Sequence, residues 1–219
     1  MHKLITLLII GLVSTLYASD MLVSAATANK SEQKTAAKQP VYLEAPVLST
    51  NSQDAFWKNI LKHCGKAYEG KVVTDTANSD AFANKKLVMH VRECNPYEIK
   101  IPFHVGDDAS RTWVITKTGS GLSLKHDHRH KDGSLDQLTM YGGHTVDAGA
   151  AQVQSFPADA PTKEMFTLQG IPQSNTNIWQ MFIYPDTFSY RLIREGRAFR
   201  VDFDLTKAIE TPAAPWGYY

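Results

Sequence analysis

Leu122-Ser123-Leu124-Lys125-His126-Asp127-His128-Arg129-His130 alternates without a break. Leu122, Leu124, His126, His128 and His130 share one parity, and Ser123, Lys125, Asp127 and Arg129 the other. Successive side chains of a β-strand point to opposite faces, so three histidines fall on the same face as two leucines. In a one-sided sheet the leucine face is the buried one. Imidazoles titrate near neutral pH, and a row of them on a core-facing strand marks a candidate site.

The same period of two extends from Gly65 to Leu205. It predicts strands over 66–75, 85–94, 97–104, 110–118, 121–130, 135–142, 149–156, 176–184, 187–194 and 197–205. Turn chemistry separates most of them: Asn95-Pro96, Gly106-Asp107-Asp108, Gly119-Ser120-Gly121, Asp132-Gly133, Gly142-Gly143, Pro185-Asp186 and Glu195-Gly196. Gly106-Asp107-Asp108 reads as a turn rather than a calcium loop. In the last strand Phe199, Val201, Phe203 and Leu205 alternate with Ala198, Arg200, Asp202 and Asp204, as a sheet with one wet face requires. About ten short antiparallel strands strain an open twisted sheet, so the expected fold is all-β, an up-and-down barrel. The one long connection, 157–175, carries a helical turn over 161–168.

Ahead of the strands, Phe56, Trp57, Ile60, Leu61 and Cys64 recur at helical spacing. Ser52 or Asp54 is the expected cap and Gly65 the stop. The chain opens Met1-His2-Lys3, then Leu4 to Val13 is almost wholly apolar. That is the pattern of a secretory signal peptide, and it is shorter than the ~20 residues a spanning helix needs. The expected division is a signal peptide over 1–28, a flexible leader over 29–51, one barrel domain with its helix over 52–210, and a tail over 211–219. Cleavage removes one base (Lys3) and one acid (Asp20), so the formal charge of +1 is unchanged. A nearly neutral chain has no electrostatic footprint for nucleic acid or for an anionic membrane. Periplasmic or secreted location, a monomeric state and no stable membrane insertion after cleavage are the expectations. Cys64 and Cys94 are the two cysteines, an even count that predicts a disulfide in an exported chain, worth ~3 kcal/mol. They lack Cys-x-x-Cys redox spacing.

With a helix leading into Gly65-Lys66-Ala67-Tyr68-Glu69-Gly70-Lys71-Val72-Val73 and meandering strands after it, residues 53–205 resemble the calycin group, the lipocalin-like and fatty-acid-binding-protein-like barrels. The Gly-x-Trp of lipocalin first strands is missing, since Tyr68 stands three residues after Gly65. The strand count is closer to ten-stranded fatty-acid-binding-like barrels, among them haem-binding ones similar to nitrobindin. The chain is also similar to a group of uncharacterised secreted bacterial proteins. The resemblance is one of architecture; it implies an interior ligand and transfers no individual site residue.

Hairpin register refines the histidine face. A two-residue Asp132-Gly133 turn would set Leu138 and Met140 beside Lys125 and Asp127, mixing the faces. A three-residue Lys131-Asp132-Gly133 loop, with Gly133 left-handed, pairs His130 with Ser134, His128 with Asp136, His126 with Leu138 and Leu124 with Met140. This second register is the prediction. It sets a carboxylate beside the His128 imidazole, a pairing open to three uses: a base with its orienter, a metal ligand with an outer acid, or a buried polar network. Strand neighbours two apart are ~6.6 Å apart by rise and those four apart ~13 Å, so His126 and His128 can share a metal while His126 and His130 cannot. A third ligand would have to come from Asp136, His144, His104 or His90, of which His104 and His90 have outward parity.

The leading expectation is a barrel that binds a small, partly apolar molecule. Leu124, Leu138 and Met140 are the predicted apolar wall, and His126, His128, His130 and Asp136 the polar cluster. The alternatives are an enzyme, with His128 and Asp136 as the candidate catalytic pair and His126 and His128 as candidate metal ligands, or a pocketless envelope module. No motif names a cofactor. Trp113, Trp179, Met181, Phe188, Tyr190 and Phe199 read as core or cavity lining, and Arg111, Arg191, Arg194 and Arg200 as solvent-facing.

Overall fold

A computed structural model describes residues 50–219; the predicted signal peptide and nearly all of the leader lie outside the described residues. Helix α1 (Asn51–Leu61) comes first. Its cap is Thr50, two residues ahead of the expected Ser52: the Thr50 hydroxyl accepts from Gln53 N–H, and the Gln53 side chain accepts from Thr50 N–H. The strands that follow are β1 (Ala67–Asp75), β2 (Leu87–His90), β3 (Glu93–Cys94), β4 (Glu98–Val105), β5 (Asp108–Thr118), β6 (Gly121–His128), β7 (Tyr141–His144) and β8 (Val153–Pro157). Helix α2 (Ala160–Leu168) and a 3-10 turn (Pro172–Thr176) precede β9 (Ile178–Ile183), β10 (Thr187–Arg194) and β11 (Arg197–Ile209).

All pairings between these strands are antiparallel, in the order β7-β6-β5-β4-β2-β1-β11-β10-β9-β8, with β3 beside β4. The path is a calycin-like, nearly closed barrel. Its two ends meet through a bridge between Gly143 and Ala158, supported by Asp159 N–H donating to Gly142 O at 3.1 Å. Such an approach leaves no room for a side chain at Gly143, whose Cβ would run into the Pro157 carbonyl; on the other side a Cβ on Gly142 would run into the Leu124 carbonyl of β6.

Inward parity holds where the sequence reading placed it. Phe199, Val201, Phe203 and Leu205 are buried, as are Leu122 and Leu124 on β6. α1 closes one end, where Phe56, Trp57 and Ile60 complete the core and Gln53 Nε2 donates to Thr145 Oγ1 at 3.1 Å. The Cys64–Cys94 disulfide, 30 residues apart in sequence, ties the segment after α1 to β3. The tail packs on the outer wall: Trp216 N–H donates to Ala109 O, and the Tyr218 hydroxyl donates to Asp127 at 2.5 Å.

Two predicted strands fail. Residues 85–94 break at Val91-Arg92, where Val91 turns to pair with Lys66 and Gly65 instead of β4. Of residues 135–142 only Tyr141 and Gly142 are in a strand, at the start of β7. The three-residue loop forms, with Gly133 at φ 87° and His130 N–H donating to Ser134 O, and Asp136 N–H reaches His128 O at 3.0 Å. Residues 137–140 then leave the ladder, so His126 pairs with Tyr141 rather than Leu138, and Leu124 with Gly143 rather than Met140. Side-chain hydrogen bonds compete here with the ladder: Asp136 Oδ1 accepts from Leu138 N–H, and Thr139 Oγ1 takes the His128 N–H that a strand partner would have used.

Gly143→Ala is expected to lower the unfolding free energy by roughly 1–3 kcal/mol through overpacking at the β7–β8 junction. Gly119→Ala, which has open space around its Cβ position, should stay within about 0.5 kcal/mol of the native protein in the same urea titration.

Candidate functional site

Opposite α1 the barrel is not filled. A cavity of about 340 Å³ opens there, walled by Phe82, Phe103, Trp113, Tyr141, Phe166, Trp179, Tyr190 and Phe199. Polar members of the wall include His126, His128, Arg111, Asn177 and Arg197. The upper ends of β5, β6, β9, β10 and β11 supply most of these residues. The rest come from β4 through Phe103 and β7 through Tyr141, from α2 and the 3-10 segment, from the 76–86 loop through Phe82, and from the 129–140 strap through Leu138. A depression of about 730 Å³ on the outer wall is larger, but it is an open groove whose Glu69, Lys71, Asp186 and Asp204 are exposed to solvent.

His126 lies at the cavity floor. Its ring stacks on Tyr141 with centroids 4.6 Å apart and planes 8° apart, and Trp179 and Tyr190 pack at 5.1 and 5.7 Å. Nδ1 is 3.1 Å from the Tyr141 carbonyl, which can only accept, so Nδ1 carries the proton. Burial pushes the pKa of His126 down to about 3, with smaller lowering from Lys125 and His128 and an opposing rise from the Tyr141 carbonyl. The ring is neutral at physiological pH, and its bare Nε2 accepts from the Tyr190 hydroxyl at 2.8 Å. Burial raises the Tyr190 and Tyr141 hydroxyl pKa values as well. The floor is thus an uncharged polar chain among aromatic rings, from the Tyr141 carbonyl through His126 to the Tyr190 hydroxyl.

His128 stands at the rim, and both of its nitrogens are engaged. Nδ1 is 3.1 Å from Asp136 Oδ2, and Nε2 is 2.9 Å from Ser110 Oγ. The Leu138 N–H holds the Asp136 carboxyl below the usual range, and His128 lowers it further, while burial opposes both. Ser110 carries no signal in the sequence, because strict alternation sends it outward with Thr112. β5 has one more residue than β4 between Asp108 and Arg111, and this bulge brings the Ser110 hydroxyl to His128. Arg111, read from sequence as solvent-facing, lines the cavity while its Nη1 donates to Asp108 at 2.5 Å.

Of the seven predicted ligand-binding residues, His126, His128 and Leu138 line the cavity. Asp136 stands behind His128. Leu124 is fully buried in the packed core below the floor. His130 is exposed, because β6 ends at His128 and the chain turns away. Met140 is 44% exposed, with its backbone in the left-handed region at φ 54° where the strap rejoins β7. The predicted metal pair has no nitrogen to spare, and among the described residues no three His, Cys, Asp or Glu side chains are grouped to hold an ion. His144 is at the α1 end, with Nε2 on Thr118 Oγ1 and Nδ1 on the Thr145 carbonyl. His104 has outward parity as expected but is buried, and that burial lowers its pKa.

Compared with protein-family models, curated proteins and solved structures, the chain matches none.

The pKa of His126 sets a pH dependence of known sign. Below pH 6.5 the unfolded chain binds a proton there that the folded chain refuses until about pH 3, so stability is full above pH 6.5 and falls as pH drops through that window. Between pH 6.5 and 5 the loss from this one group approaches about 2 kcal/mol. His126→Gln should start less stable at pH 7 but lose less between pH 7 and 5, as read by urea midpoints at the two pH values.

Proposed function

We propose that this protein is an exported carrier or sensor of a small, flat, largely apolar molecule held in the barrel mouth. The observation that carries the reading is the aromatic cavity itself: eight aromatic side chains around about 340 Å³, at the end of the barrel that α1 does not close. That volume is at the lower end for small-molecule sites. Ring faces stacked in pairs, Phe103 on Trp113 at 4.9 Å and Trp113 on Tyr190 at 4.5 Å, favour a planar guest over a flexible chain. The neutral His126 floor favours an uncharged inner end of the ligand, since an ion there would lose its hydration without a counter-charge. Export is supported by the disulfide. Among the described residues no helix is long and apolar enough to cross a membrane.

The test uses 1-aminoanthracene, a planar fluorophore small enough for the cavity. Saturable 1:1 binding with quenching of tryptophan emission is expected. Leu138→Trp, which fills the space beneath the strap, should weaken it at least ten-fold while the circular dichroism spectrum is kept. No saturable binding, or equal binding by Leu138→Trp, sinks the reading.

One observation favours a second reading. Ser110 Oγ, His128 Nε2, His128 Nδ1 and Asp136 Oδ2 follow one another in the order of a nucleophile, a base and its orienting acid. Such a relay would hydrolyse a small ester at the rim. Ser110 is buried and outside the cavity lining, which is why binding is the first reading. A fluorophosphonate reagent decides the matter: adduct formation at Ser110 in the native protein, absent from Ser110→Ala and reduced in Asp136→Asn, establishes the relay as reactive, and an unlabelled Ser110 removes it.

A further inference from the structure

Asn177 stands directly before β9, in the cavity wall beside Trp179. Its backbone is fully used: its N–H donates to Ser174 O and its carbonyl accepts from Ala158 N–H. The side chain differs. Only 6% of the residue is exposed, and among the described residues Oδ1 is buried with no hydrogen-bond partner. A buried amide oxygen left without a partner is costly, and native proteins rarely tolerate one unless something absent from the bare fold, a ligand or a water, completes it. His126, His128 and Tyr190, which line the same cavity, already have partners of their own.

An amide presents one acceptor and two donors in a plane. Its complement is a molecular edge with a donor and an acceptor side by side, as on a lactam or a nucleobase-type ring. The aromatic wall selects for a flat ring system, and Asn177 supplies the polar register on its edge. Resting on the binding function proposed above, we infer that the ligand class is a planar nitrogen heterocycle with an adjacent N–H and C=O, and that Asn177 is the residue that reads that edge. A site with a buried group awaiting a hydrogen bond discriminates strongly against an analogue that lacks the matching atom, far more than an apolar wall discriminates by size.

The experiment compares 2-quinolinone with 1-methyl-2-quinolinone, which keeps the ring and carbonyl but not the N–H, by tryptophan quenching or calorimetry. Native protein should bind 2-quinolinone at least ten-fold more tightly. Asn177→Leu, similar in volume and with the same backbone hydrogen bonds open to it, should bring the two affinities within two-fold with the circular dichroism spectrum kept. Equal affinities in the native protein, or discrimination that survives in Asn177→Leu, overturns the inference and leaves the aromatic cavity standing. Failure of 1-aminoanthracene and both quinolinones to bind the native protein overturns the binding function itself.

Discussion

Closure of the sheet is the constraint on which the rest depends. Ten strands wound by right-handed twist bring β7 round to β8, and the two backbones meet because Gly143 carries no side chain, while Gly142 lets β7 lie close on β6. Once they meet, every inward residue has a volume to share with residues across the barrel. α1 enters that volume from one end and fills it with Phe56, Trp57 and Ile60. Nothing of comparable bulk enters from the other end, which is covered by α2, the 3-10 turn and the 129–140 strap. The cavity is what this asymmetry leaves.

His126 sits at the boundary between the filled and the empty half. Toward α1, the inward positions of β6 are Leu122 and Leu124, both fully buried; toward the mouth comes His128, partly exposed. A charged group at the middle position would have to be hydrated, and water there would open the core. The neutral ring avoids this by donating a hydrogen bond from Nδ1 to the Tyr141 carbonyl and accepting one at Nε2 from the Tyr190 hydroxyl. The Tyr190 hydroxyl bond and the stacking of Tyr141 on the His126 ring tie both tyrosines to it, so the histidine helps set the geometry of an apolar wall.

The fold was legible because period two is a property of the backbone. Wherever one sheet face is wet and the other dry, the alternation is written in residue type, and β6, β10 and β11 could be read from it directly. The His128–Asp136 contact was also legible, since a Gly133 that can adopt positive φ determines the first two pairs of the hairpin. Beyond those pairs the reading failed for a local reason. Asp136 and Thr139 satisfy backbone N–H groups with their side chains, and the chain no longer needs the ladder. Leu138 reaches the cavity from the strap by that route, while Met140 is turned out.

Ser110 and Arg111 show what alternation hides. A single extra residue in β5 lets two consecutive side chains serve the barrel mouth, one behind His128 and one in the cavity wall, although period two assigns them to opposite faces. A bulge leaves no mark in composition, and its effect is confined to the few residues beside it. It therefore alters the chemistry of the rim without altering the fold: the register of β5 with β6 runs unbroken from Arg111 and His128 to Thr118 and Gly121. Barrels of this kind can keep one packed half for stability and vary the other, because the strand ends that form the mouth are the places where a bulge, a strap or a short helix disturbs nothing below them.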